Sequence, residues 1–90
     1  MFVSVICDIA DMGHKDLVVD YLKRYGFKEV IENAFESTSI SEKALMRLKR
    51  DIDQSTDFYD KVRFYQYPYD GTMVISFLIE KKWKKSVIRT

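Results

Sequence analysis

Apolar residues along this chain alternate between a spacing of two and a spacing near 3.6, and the order of those switches constrains the fold most. Residues 2–9, FVSVICDI, follow the strand period, with Val3, Val5, Cys7 and Ile9 on one face and Phe2, Ser4, Ile6 and Asp8 on the other. Leu17, Val18, Tyr21, Leu22 and Tyr25 then repeat at helical spacing. Asp11 reads as the N-cap of that helix, and Gly26 ends it as a glycine just past the last turn does. Residues 28–36, KEVIENAFE, are extended, with Ile31 and Phe35 on one face and Val30 and Ala34 on the other. Glu32 and Asn33 mark a bulge there, or a tight turn between two short strands. Ser39 and Glu42 have capping-box spacing ahead of a second helix built on Ile40, Ala44, Leu45, Leu48 and Ile52. Lys43, Arg47, Lys49 and Arg50 are expected mostly on its outer side. Residues 62–67 and 72–80 read as strands, separated by a turn at Pro68 and the Asp70-Gly71 pair.

With the middle segment split, the order is strand, helix, strand, strand, helix, strand. That is the ferredoxin-like βαββαβ plan, an α+β antiparallel sheet with both helices on one face, here followed by an extra C-terminal strand. Ninety residues make one such domain, 1–90. The unbroken apolarity of TMVISFLIE, residues 72–80, implies that both of its faces are covered, so segment 72–90 could pack on a partner subunit.

Composition excludes several classes. A formal net charge of +1 provides no global field for a polyanion, so nucleic-acid binding must come from local patches. No apolar run approaches the roughly 20 residues of a membrane helix, and no signal peptide is recognisable. The reading is a soluble, cytoplasmic protein with no membrane partner. One cysteine, Cys7, excludes an internal disulfide and reads as a packed strand residue. One histidine, His14, has no obvious nucleophile to serve and reads as a surface residue. Zinc-type Cys/His clusters and Gly-rich phosphate loops are absent from the sequence. The tail EKKWKKSVIRT clusters Lys81, Lys82, Lys84, Lys85 and Arg89 around Trp83, which is read as a protein contact rather than a base-stacking residue. Tyr59, Phe64, Tyr65, Tyr67 and Tyr69 are likewise assigned to core and interface.

Three segments resemble the CRISPR-associated Cas-two family of small spacer-acquisition proteins. VICDIAD resembles that family's first strand running into Asp8. YGFKEVIENAFES resembles its Gly-Phe and Phe-Glu segment, and DKVRFY resembles its Asp-x-Val-Arg strand. Together they span about residues 1–67. The resemblance implies a ferredoxin-like homodimer that bridges integrase (Cas-one) subunits on double-stranded DNA in CRISPR adaptation. It also implies Mg²⁺-dependent endonuclease activity on DNA or RNA, with Asp8 as catalytic residue and metal ligand. One Asp8 is a poor magnesium site alone, but a two-fold axis would bring its twin beside it, and a cation between the two would offset their repulsion. Lys15, Arg47, Arg50, Lys82 and Lys84 are the candidate nucleic-acid contacts. Two other readings stay open: a toxin-type endoribonuclease of the same fold, and a non-catalytic interaction module. Cys7 and Glu29 depart from the family's pattern and keep the second of these in play.

Overall fold

The computed structural model describes residues 1–67 and 70–89. Their elements are β1 (Phe2–Asp8), α1 (Met12–Arg24), β2 (Lys28–Ile31), β3 (Ala34–Ser37), α2 (Glu42–Gln54), β4 (Lys61–Tyr67), β5 (Thr72–Ile79) and β6 (Lys82–Arg89). The six strands form one antiparallel sheet in the order β2-β3-β1-β4-β5-β6. The first four strands and two helices realise the expected α+β arrangement compatible with a ferredoxin-like fold. The basic tail continues it as a further strand, β6, rather than a free extension.

The helices cover one sheet face because the strand period supplies an apolar set there. Val3, Val5 and Cys7 of β1, Phe35 of β3, Val62 and Phe64 of β4 and Leu78 of β5 are buried. Val18 and Leu22 of α1 and Leu45, Leu48 and Ile52 of α2 close over them. Phe2, Ser4, Ile6 and Asp8 occupy the opposite, open face, beside Lys61, Arg63, Tyr65 and Tyr67 in register. Met73, Ile75, Phe77 and Ile79 extend that face on β5, and all four remain half-buried. The expectation that both faces of 72–80 are covered therefore holds only for the helix side within a single chain.

Local chemistry sets the element ends. Asp11 accepts the His14 backbone N–H at 2.8 Å and caps α1, as expected. Gly26 follows α1 at φ 89°, and its N–H donates to Lys23 O while Phe27 N–H donates to Leu22 O. These two bonds satisfy terminal carbonyls in a Schellman motif, which needs a residue in the left-handed region. The cap of α2 is Ser41, which accepts from Ala44 N–H at 3.1 Å, and not Ser39. The Ser39/Glu42 spacing mimics a capping box, but the helix starts two residues later than that box requires.

Both alternatives for residues 28–36 occur together. A turn at Glu32-Asn33 joins β2 to β3, and the register shifts between Glu29 and Ile31. Ile31 thus lies opposite Ala34 and is 72% exposed, while Phe35 is fully buried. The two do not share a face, because the turn and the shift break the period of two. Lys49 also departs from expectation. It reaches under α2 to donate to Gln66 Oε1 at 2.7 Å and Ser76 Oγ at 2.9 Å, against the rings of Phe64 and Trp83.

The β5–β6 hairpin is closed by Glu80 and Lys81, both at positive φ. That is the twist a two-residue hairpin favours, here without the usual Asn or Gly. Lys81 Nζ reaches from this turn to the Asp53 carbonyl and carboxylate and to Thr56 O, capping the C-terminal end of α2. Trp83 Nε1 donates to Asp53 Oδ2 at 3.1 Å, and its ring lies 5.8 Å from that of Phe64. Trp83 is thus held within its own chain, by Asp53 and Phe64. Of the aromatic set assigned to core and interface, Phe64 is fully buried and Tyr59 is 83% exposed. Tyr69 and the Pro68 turn lie outside the described residues.

Candidate functional site

Asp8 is exposed at the last position of β1, opposite Lys61. It lines a shallow depression on the open face with Ile6, Lys61, Arg63 and Phe77. Arg63 is held in place: Nε donates to Tyr65 Oη at 2.7 Å, and the guanidinium lies 5.3 Å and 4.9 Å from the Tyr65 and Phe77 ring centroids. Among the described residues, Asp8 is the only carboxylate lining this depression. One chain thus presents a single acid beside two cations.

The candidate nucleic-acid contacts fall on different surfaces. Lys82 and Lys84 lie on the open face, in register with Ile79 and Phe77, and so join Lys61 and Arg63. Arg47 and Arg50 line a shallow groove on the outer surface of α2 with Lys43 and Met46. No acidic side chain forms an ion pair with Lys43, Arg47 or Arg50 among the described residues. Lys15 stands apart on α1, half-buried. Its charge acts on the Cys7 thiol, but burial outweighs it and pushes that thiol up to about 12. Cys7 is therefore a packed, protonated side chain without nucleophilic use near neutral pH.

A second acidic constellation, absent from the sequence reading, forms where α1 begins and the α2–β4 connection ends. His14 Nδ1–H donates to Asp60 Oδ2 at 2.9 Å, and Asp57 Oδ2 lies 3.8 Å from the same nitrogen. Asp60 is 3% exposed, and its Oδ2 also accepts the Asp57 backbone N–H. His14 is thus no simple surface residue. The ligand atoms of His14, Asp57 and Asp60 lie within 4.8 Å of one another, a group that could hold a metal ion. Sequence patterns conceal it, because His14 and Asp60 are 46 residues apart and meet only through sheet pairing. The signal in the sequence was Asp60 itself, the first residue of the DKVRFY segment.

No helix among the described residues is long and apolar enough to cross a membrane. Comparison with protein-family models, with curated proteins and with solved structures found no match to this chain.

Proposed function

We propose that this chain is a homodimeric nucleic-acid scaffold of the Cas-two type, acting with integrase (Cas-one) subunits on double-stranded DNA in CRISPR adaptation. The observation that carries the reading is the open sheet face. It combines partly exposed Ile6, Tyr67, Met73 and Phe77 with Asp8 at its end, on a fold compatible with the ferredoxin-like plan. Pairing two such faces about a two-fold axis would cover that apolar surface and bring two copies of Asp8 near each other. The cations on α2, Lys43, Arg47 and Arg50, then supply sequence-independent phosphate contacts on the outside of the dimer.

Magnesium-dependent phosphodiester hydrolysis is the finer part of the proposal. In it the paired Asp8 carboxylates hold Mg²⁺, which activates water and orients phosphate. Lys61 and Arg63 favour the scaffold over the nuclease, since they can neutralise Asp8 without a metal. A non-catalytic role accordingly follows from the same site, whereas nothing specific favours a toxin-type ribonuclease.

Two measurements test the reading separately. Light scattering should give the mass of a dimer, and a strict monomer would remove the scaffold proposal. Cleavage of DNA and RNA with Mg²⁺ should be lost in Asp8→Ala, and equal rates in both proteins would remove the catalytic assignment alone.

A further inference from the structure

We propose that His14, Asp57 and Asp60 bind one divalent transition-metal ion, with zinc as the reference occupant, at a site separate from Asp8. Geometry is the first support. A metal about 2.1 Å from nitrogen and oxygen ligands holds neighbouring ligand atoms roughly 3 to 3.5 Å apart. Around Nδ1 of His14, the Asp60 and Asp57 oxygens already stand at 2.9 Å and 3.8 Å. A small turn of the Asp57 carboxylate, half exposed and held through Oδ1 by the Tyr59 N–H, would close the remaining difference.

Charge balance is the second and independent support. Asp11, Asp57 and Asp60 all lie within 4 Å of the one imidazole, and none forms an ion pair with a lysine or arginine among the described residues. A single ring N–H satisfies one carboxylate at a time. Asp60 takes that hydrogen bond, Asp11 caps α1 and Asp57 Oδ1 accepts the Tyr59 backbone N–H at 2.9 Å, so only Asp57 Oδ2 faces the nitrogen already in use. Even an imidazolium would leave three carboxylates against one positive charge. A divalent ion would offset that excess, and it is the excess that sets the site apart from an ordinary His–Asp hydrogen bond.

Donor chemistry selects the ion. Imidazole suits zinc and other transition metals, whereas magnesium and calcium take oxygen ligands. Coordination requires the neutral ring with its proton on Nε2. Nδ1 then offers its lone pair, and Asp60 changes from acceptor of the Nδ1 proton to metal ligand. His14 and Asp57 are partly exposed, so water completes the coordination and the site is open to exchange. The ion would tie the start of α1 to the loop preceding β4.

Because His14 is the only histidine, its ring nitrogens give an unambiguous reporter. Untagged protein freed of metal by a chelator is titrated with Zn²⁺ while the imidazole ¹⁵N resonances are followed. A saturable one-to-one shift of Nδ1 is expected, weakened about tenfold or more in Asp57→Asn and retained in Asp8→Ala. His14→Gln, also at a partly exposed position, should abolish the binding heat in calorimetry, with circular dichroism confirming that it is folded. Three results would each overturn the proposal: an unmoved Nδ1 resonance, equal affinity in Asp57→Asn, or the same response to Mg²⁺.

Discussion

Replacing Lys49 by methionine should change how stability depends on pH. The ammonium of Lys49 sits between α2 and the sheet, where the described residues around it are the neutral acceptors Gln66 and Ser76 and the rings of Phe64 and Trp83. Burial, reinforced by the nearby charge of Lys85, lowers its pKa to about 8 from 10.5. At 1.36 kcal/mol per unit, the full displacement corresponds to about 3 kcal/mol. The ammonium is still partly wetted, and solvent screening reduces this to roughly 1 kcal/mol.

The direction follows from which state binds more protons. Below pH 8 the lysine is charged in both states, and the folded protein bears the whole penalty. Between pH 8 and 10.5 the unfolded chain stays protonated while the folded one does not, so stability rises with pH. Above 10.5 the penalty is gone. Urea denaturation of wild type and Lys49→Met at pH 7 and pH 10 isolates this contribution, because other titrating groups cancel in the difference. Wild type should gain about 1 kcal/mol on the variant between the two pH values. Loss of the bonds to Gln66 and Ser76 adds only an offset independent of pH. Parallel stability curves across that range would refute the reasoning.

Four further outcomes follow from individual residues. Gly26→Ala should destabilise by about 1 kcal/mol in thermal or urea unfolding, since φ 89° disfavours any side chain with a Cβ. Glu80→Asn should instead stabilise by roughly 0.5 kcal/mol, because asparagine tolerates the left-handed conformation that glutamate adopts in the β5–β6 turn. Cys7 should resist thiol reagents at pH 8 under native conditions and react fully in denaturant, given its burial and its pKa pushed up to about 12. In the double variant Arg47→Glu/Arg50→Glu, duplex DNA binding should weaken and the slope of log affinity against log salt should fall by about 2, as two phosphate contacts are lost.

The two faces of β1 illustrate what was legible early. A period of two places Val3, Val5 and Cys7 together whatever lies beyond, so the core side of that strand and its pairing with an amphipathic helix could be read directly. Asp11 and Gly26 were equally transparent, since a cap acts over a few residues of its own helix. Ile31 was not, because a turn and a register shift between Glu29 and Ile31 reversed its face. Lys49 was misplaced for a different reason. Helical spacing locates a residue on a flank, but whether that flank meets water or a sheet depends on β5 and β6. The cap of α2 is Ser41 although the capping-box spacing points to Ser39, because Ile40 is buried in the core ahead of the helix.

By itself, then, the sequence determined the order of elements as far as β5, the apolar face of β1 and the cap and stop of α1. These depend on backbone periodicity and short-range hydrogen bonds, which neighbouring residues suffice to specify. Only the tertiary structure decided that Asp8 stands beside Lys61 and Arg63, that the basic tail becomes β6, and that His14 meets Asp57 and Asp60. Each of these joins residues far apart in the chain, and sheet register, not local propensity, sets their distance.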